Sequence, residues 1–180
     1  MIEVPVVVSE WQQACCGRPF ALEDRVEWML MLDDVQAMYL PDAHAASLAV
    51  SAESLGDPWQ GLFPTVVRKG DLRAYWRAPS RVDGHTHVRG VFFEEHHDGV
   101  PDPFEGIIGP TPGKILRIRA LWAPKDFHDE GRTRIYEPKR GPLDLREVSS
   151  SEDDAFGGLP RPAVNYLFDG WLVDLAVEDA

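Results

Sequence analysis

Cysteine is scarce in this chain: of 180 residues only Cys15 and Cys16 are cysteines, and they are neighbours. Adjacent cysteines can close only a strained ring that restricts no loop, so a disulfide framework is excluded and a reducing compartment fits. Long apolar runs are missing as well. Val6-Val7-Val8 is typical of what exists, far short of the roughly 20 residues of a membrane-spanning helix. Met1 to Ser9 has neither the basic start nor the apolar stretch of a secretory leader, and a cytoplasmic location is expected. The sequence also lacks a glycine-rich phosphate loop, a nucleophile elbow around serine and a His-Glu-x-x-His stretch.

Positive charge is in short supply, and unevenly so. The formal net charge is -12; residues 1–67 hold 2 Lys/Arg against 10 Asp/Glu, residues 68–147 hold 15 against 13, and residues 148–180 hold 1 against 7. Such a surface repels phosphate backbones, which argues against nucleic acid as a partner and leaves the middle third as the one place where an anion could be attracted.

What is present suffices for a core: 44% hydrophobic residues and 10% aromatics, in a length that fits one domain over residues 1–180. Period-two alternation predicts strands at Val4, Val6 and Val8, and from Arg25 to Leu32, where Val26, Trp28, Leu30 and Leu32 share a face. Further strands are expected over Leu72 to Ala78, His85 to His97, Lys114 to Trp122, Thr133 to Tyr136 and Leu143 to Val148. A closing strand runs from Trp171 to Val177. In the Lys114 to Trp122 strand, Leu116, Ile118, Ala120 and Trp122 share one face and Arg117 and Arg119 the other. Asp83-Gly84 and Asp98-Gly99 read as hairpin turns, which would make the middle third an antiparallel meander. Trp11 to Phe20 and Asp126 to Arg132 read as loops, and residues 149–162, rich in serine, acid, glycine and proline, as a mobile one. One helix is expected from Asp42 to Leu55, where Ala45, Leu48, Ala52 and Leu55 recur at helical spacing, with Asp42 as cap and Gly56 as terminator. The sum is a mainly β fold, a small antiparallel β-barrel or sandwich with one α-helix.

The stretch Trp11-Gln12-Gln13-Ala14-Cys15-Cys16-Gly17-Arg18-Pro19-Phe20, with Asp24, Val26 and Trp28 after it, resembles the opening of an uncharacterised family of actinobacterial proteins, a domain of unknown function. Weaker echoes lie at Glu95-His96-His97 and Thr111-Pro112-Gly113-Lys114. The resemblance implies no activity.

Three chemistries can be weighed on the residues themselves. Cys15 and Cys16 with His96 or His97 offer the ligand types that zinc prefers, and so a metal-binding protein or metal-dependent hydrolase. Paired zinc cysteines normally stand two to four residues apart so that both thiolates converge, so packing roles for the cysteines come first and no cofactor is expected. His85 and His87 share a strand face and read as solvent-facing. Arg73, Arg77, Arg89, Arg117 and Arg119, with Trp76 at the edge, would project from one side of a meander. That surface could bind an acidic protein or an anionic small ligand, or could neutralise the acidic thirds internally. A non-catalytic binding module is the leading expectation, with the zinc protein as the alternative.

Overall fold

The computed structural model describes residues 1–34, 40, 44–95, 101–130, 133–139, 141–152, 161–163 and 165–179. Among these the fold is mainly β, with strands β1 (Ile2–Ser9), β2 (Arg25–Trp28), β3 (Leu30–Asp34), β4 (Ala46–Ser54), β5 (Phe63–Lys69) and β6 (Leu72–Ala78). There follow β7 (Asp83–Glu94), β8 (Thr111–Glu130), β9 (Thr133–Pro138), β10 (Asp144–Val148) and β11 (Tyr166–Val177), with two short helices, α1 (Glu10–Cys16) and α2 (Asp102–Ile108). Neither helix is long and apolar enough to cross a membrane.

Strands β7, β3, β6, β5 and β4 pair in that order, and β4 pairs back onto β7, closing a five-stranded barrel. The pairs are antiparallel except β3 with β6. A second circuit leaves the barrel at the same place. β7 also pairs with β1, β1 with β11, β11 with β8 and β8 with β2, and β2 runs through Met29 into β3. Strand β10 flanks β8 at the end of this second sheet, and β9 folds back on the far end of β8.

Edge sharing makes the two circuits possible. Phe92 has Leu32 on one side and Val6 on the other, while Gly90 has Asp34 on one side and Ala46 on the other. One edge of β7 therefore serves β4 and then β1, with β3 opposite. A single buried cluster fills both circuits, running from Val50, Val67, Leu72 and Phe92 in the barrel to Val6, Ile118, Trp171 and Val173 in the second sheet. Its aromatic hinge is Trp171, edge-on to Phe20 at 5.7 Å and to Phe168 at 5.1 Å. Such pairs add about 0.5–1.5 kcal/mol each beyond the burial of their area. Helix α2 covers the outer wall of the barrel, where Phe104 stacks on Tyr75 at 6.4 Å.

The barrel, the predicted core faces of Val4, Val6 and Val8 and of Val26, Trp28, Leu30 and Leu32, and the closing strand are all as the sequence reads. The helix over Asp42 to Leu55 is not: Asp42 lies outside the described residues, and Ala46–Ser54 is strand β4, buried at Ala46, Val50, Ala52 and Ser54. Alanine and serine carry little periodic signal, so pairing with β5 and β7 outweighed the local preference. The segment from Trp11, read as a loop, begins instead with α1, whose Gln12 is buried. Asp126 to Glu130 continues β8 rather than forming a loop. Asp83 and Gly84 open β7 instead of making its turn. The meander is also corrected, since β6 pairs with β3 and β5, and β7 does not pair with β8. In β8 the face changes at Leu116, where a bulge between the pairs Leu175–Ile115 and Asp174–Arg117 turns this side chain outward, 41% exposed. Glu152 and the residues before it are described, whereas 153–160, the centre of the segment read as mobile, lie outside.

Strand β11 is central, with β1 on one edge and β8 on the other, and its join to β1 depends on Gly170. That residue has φ 127°, and a Cβ there would stand 2.0 Å from the Val8 carbonyl oxygen. Gly170→Ala should therefore cost about 2–4 kcal/mol, read as a lower urea midpoint with an unchanged slope. A midpoint within error of the parent would show that the bulge at this position relaxes freely.

Candidate functional site

The second circuit is not filled to its rim. A cleft of about 1100 Å³ opens between β2, the start of β8, the end of β11, the C-terminus of α1, Met1, and Val8 of β1. Its apolar lining comes from Val8, Phe20, Val26, Trp28 and Val177. Three cations (Arg18, Arg25, Lys114) and five carboxylates (Asp24, Glu27, Asp71, Glu94, Glu178) also line it, so the cleft shares the acidic character of the chain.

Local sequence explains each wall. Gly113 stands where any side chain would overlap Leu175, its Cβ falling 2.6 Å from Leu175 Cγ, so glycine lets β8 lie close over β11. Lys114 pairs with Glu23, and the Asp24 carboxylate accepts the Ala21 N–H at 2.8 Å, which fixes the turn into β2. Phe20 is held by Ser151, whose hydroxyl accepts its N–H at 3.0 Å, and by edge contact with Trp28 at 5.5 Å. Glu94 is only 7% exposed and sits at the end of β7 beside the α1 terminus. Gln12 donates to Glu95 at 2.8 Å and so ties that helix to the same strand end.

Both cysteines are exposed, and Cys16 lines the cleft. Its thiol is pushed up by desolvation, then by the hydrogen bond and charge of Cys15 and the charge of Glu94, so it stays protonated at neutral pH. His96 and His97 lie outside the described residues. Among the described residues no group of three or more His, Cys, Asp or Glu side chains converges as metal ligands do. His85 and His87 are exposed on β7, with His87 Nε2 3.4 Å from the Ser47 hydroxyl.

The five arginines fall on three strands that do not adjoin as a meander would require. Arg73 and Arg77 are exposed on β6, and Trp76 points the other way, half-buried against the main core. Arg89 is exposed on β7, opposite Ser47 of β4. Only Arg117 and Arg119 come together. Arg119 donates to Asp174, Arg117 lies 3.8 Å from the other oxygen of the same carboxylate, and Arg117 Nε lies 3.6 Å from Glu147. Asp174 is 8% exposed, and His44 beside this group is held below the ordinary histidine range by burial and by Arg119.

A second cavity of about 320 Å³ adjoins the first across Gly17 and Pro19, lined by Glu10, Gln13, Ser151, Glu152 and Trp171. The start of α1 also faces a partly buried charge pair. Asp169, the bulged residue of β11, accepts from Lys125 at 2.5 Å, and burial followed by the Glu10 charge raises its pKa from 3.8 to about 6. Burial lowers Lys125, an effect that Glu10 opposes.

Sequence reasoning placed Trp28 and Val26 on a core face and Pro112-Gly113 in a connection, and so missed that they enclose a cleft. The available signal was proline inside an otherwise strand-like run, which marks a ladder position that needs no N–H.

The model of one protein family, described as a family of unknown function (DUF6578), matches residues 2–177. No curated protein and no solved structure matches the chain.

Two expectations follow from these environments. Glu94→Gln removes the smallest of the influences that keep Cys16 protonated, so its alkylation by iodoacetamide at about pH 8 should be modestly faster than in the parent, followed by mass spectrometry. An unchanged rate would place Glu94 outside the thiol's field. For Asp169 the folded pKa exceeds the unfolded one, so its contribution to stability is complete below about pH 4 and is lost as pH rises through about 6. Its side chain is 20% exposed, and the loss is at most roughly 3 kcal/mol. Asp169→Asn should abolish this part of the slope in urea titrations between those pH values, and a slope that persists would assign it to other groups.

Proposed function

The chain belongs to this family of unknown function, and we propose that it is a binding module whose ligand enters the cleft beside β2. The observation that carries the proposal is the cleft itself, about 1100 Å³ of space with mixed apolar and charged walls beside the main core. Its polar side chains support binding over reaction. Lys114 and Asp24 are engaged in holding the wall, and Cys16 is kept in its protonated, weakly nucleophilic form.

The arginine surface supports an anionic partner less well. Its closest pair, Arg117 and Arg119, already shares the carboxylate of Asp174, the arrangement of an internal counter-charge. A zinc site on Cys15 and Cys16 would need at least two more ligands for a closed tetrahedral shell.

Amide chemical shifts recorded while a library of small amphipathic fragments is titrated into the full chain test the cleft directly. Hits should cluster at Val26, Trp28, Gly113 and Lys114, and Trp28→Ala should weaken them about tenfold, the loss of one aromatic contact of roughly 1.4 kcal/mol. Hits that map to the arginines of β6 and β8 instead would overturn this reading.

A further inference from the structure

The cleft has one feature that a pocket for a compact molecule does not require: one of its walls is a strand edge that has no partner among the described residues. Strand β2 pairs with β8 through Arg25–Lys114, Val26–Gly113, Glu27–Pro112 and Trp28–Thr111. In an antiparallel ladder the N–H and C=O groups of successive residues point to opposite edges. Pro112 has no N–H to give, which fits a pair where neither residue bonds the other, and so Glu27 directs its backbone groups away from β8.

The same parity holds along the strand. Ile115 donates to Asp24 and Glu23 donates to Ile115, Lys114 is paired on its far side with Ala176, and Val26 and Trp28 take the positions facing β8. Arg25, like Glu27, therefore presents its N–H and C=O to the other edge. Further along that edge the Met29 carbonyl accepts the N–H of Glu95, the residue after β7, at 2.9 Å, the last bond to this edge among the described residues. Beyond this point, among the described residues, no strand pairs with the β2 edge.

Side chains divide in the same register. Val26 and Trp28 are half-buried and turned to the core, whereas Arg25 and Glu27 are exposed. All four line the cleft, over a strand length of roughly 13 Å.

We propose that the cleft binds an extended segment of another protein, which adds as a strand to the open edge of β2. The inference rests on the binding-module reading and specifies its ligand. The backbone of Arg25 and Glu27 supplies the ladder bonds, as strand addition at sheet edges does elsewhere. The cleft receives an apolar side chain beside Val26 and Trp28. Charge selects the flanking residues: opposite charges are favoured in cross-strand pairs, so the segment carries an acid beside Arg25 and a base beside Glu27, with an apolar residue between them. The net charge of -12 makes the base the residue that is attracted from a distance.

The test uses the full chain and two fluorescein-labelled octapeptides with Lys-Val-Asp or Asp-Val-Lys at their centres, covering antiparallel and parallel registers, with binding read by fluorescence anisotropy. At least one should bind, and N-methylation of the two amides facing β2 should weaken it tenfold or more. Glu27→Lys should weaken it similarly, and a probe with Glu in place of Lys should restore binding to that variant. This rescue cannot come from misfolding. Equal binding of methylated and unmethylated probes, still lost in Trp28→Ala, would overturn strand addition while leaving the cleft as a binding site. Failure of both probes to bind the folded protein would also overturn strand addition, and the fragment titration then decides the broader reading separately. If sedimentation shows a dimer that Glu27→Lys dissociates, the occupant is a second copy of this chain, and the proposal for another protein fails.

Discussion

The antiparallel pair of Leu30–Asp34 with Gly90–Glu94 is the contact on which the rest of this fold depends. Both circuits of strands pass through it, so neither can close without it. It is accordingly apolar: Leu30, Leu32, Val91 and Phe92 are all buried, each such side chain stabilising the fold by about 1.5–3 kcal/mol. At its end Gly90 lies between Asp34 and Ala46, and a Cβ there would fall 2.2 Å from the Asp33 carbonyl oxygen. The absence of a side chain is what lets three strands come together where the barrel closes.

Much of this was legible in the sequence, and the failures share a cause. Strands built from valine, leucine and tryptophan could be read because large side chains make alternation conspicuous, as at Val4, Val6 and Val8 and from Trp171 to Val177. Strand β4 could not, because Ala46, Ser47, Ala49, Ser51 and Ala52 barely differ in hydrophobicity and fit either period. The meander failed for a different reason. Local turn signals specify hairpins, but the neighbours of β7 are β1, β3 and β4, two of which come from much earlier in the chain. The cleft was invisible because it depends on which strand edges remain unpaired, a property of the whole pairing network.

Charge follows the same division between what alternation reveals and what pairing decides. Arg117 and Arg119 were correctly placed on one face of their strand, away from Ile118 and Ala120. Their consequence is set by Asp174 on the adjoining strand β11, whose carboxylate is almost wholly removed from water. A buried carboxylate needs such partners, since leaving it alone costs several kcal/mol, roughly 3–5 when one partner of a buried pair is removed. Asp169 shows the opposite balance. Lys125 touches it, yet burial and the nearby Glu10 still hold its pKa well above the ordinary range.

Fusing two circuits through one strand pair has a geometric cost that falls on β2. The edge of β3 that carries β7 continues into β2, but β7 ends at Glu94, the bond of Glu95 to Met29 is the last on that edge among the described residues, and the opposite edge of β7 is already divided between β4 and β1. Among the described residues the β2 edge is thus left over by the topology. Exposed edges invite unspecific pairing, and the end strand β10 is short and carries Asp144, Arg146 and Glu147 along it, the usual means of discouraging that. At β2 the edge instead lines a cleft whose walls also include Phe20, Cys16 at the end of α1, Lys114 and Glu178. A recess of this size limits access more strongly for a sheet than for a single extended strand. On the strand-addition proposal the walls supply the selectivity that charge supplies at β10, and the same recess that hinders sheet-to-sheet pairing admits a single strand.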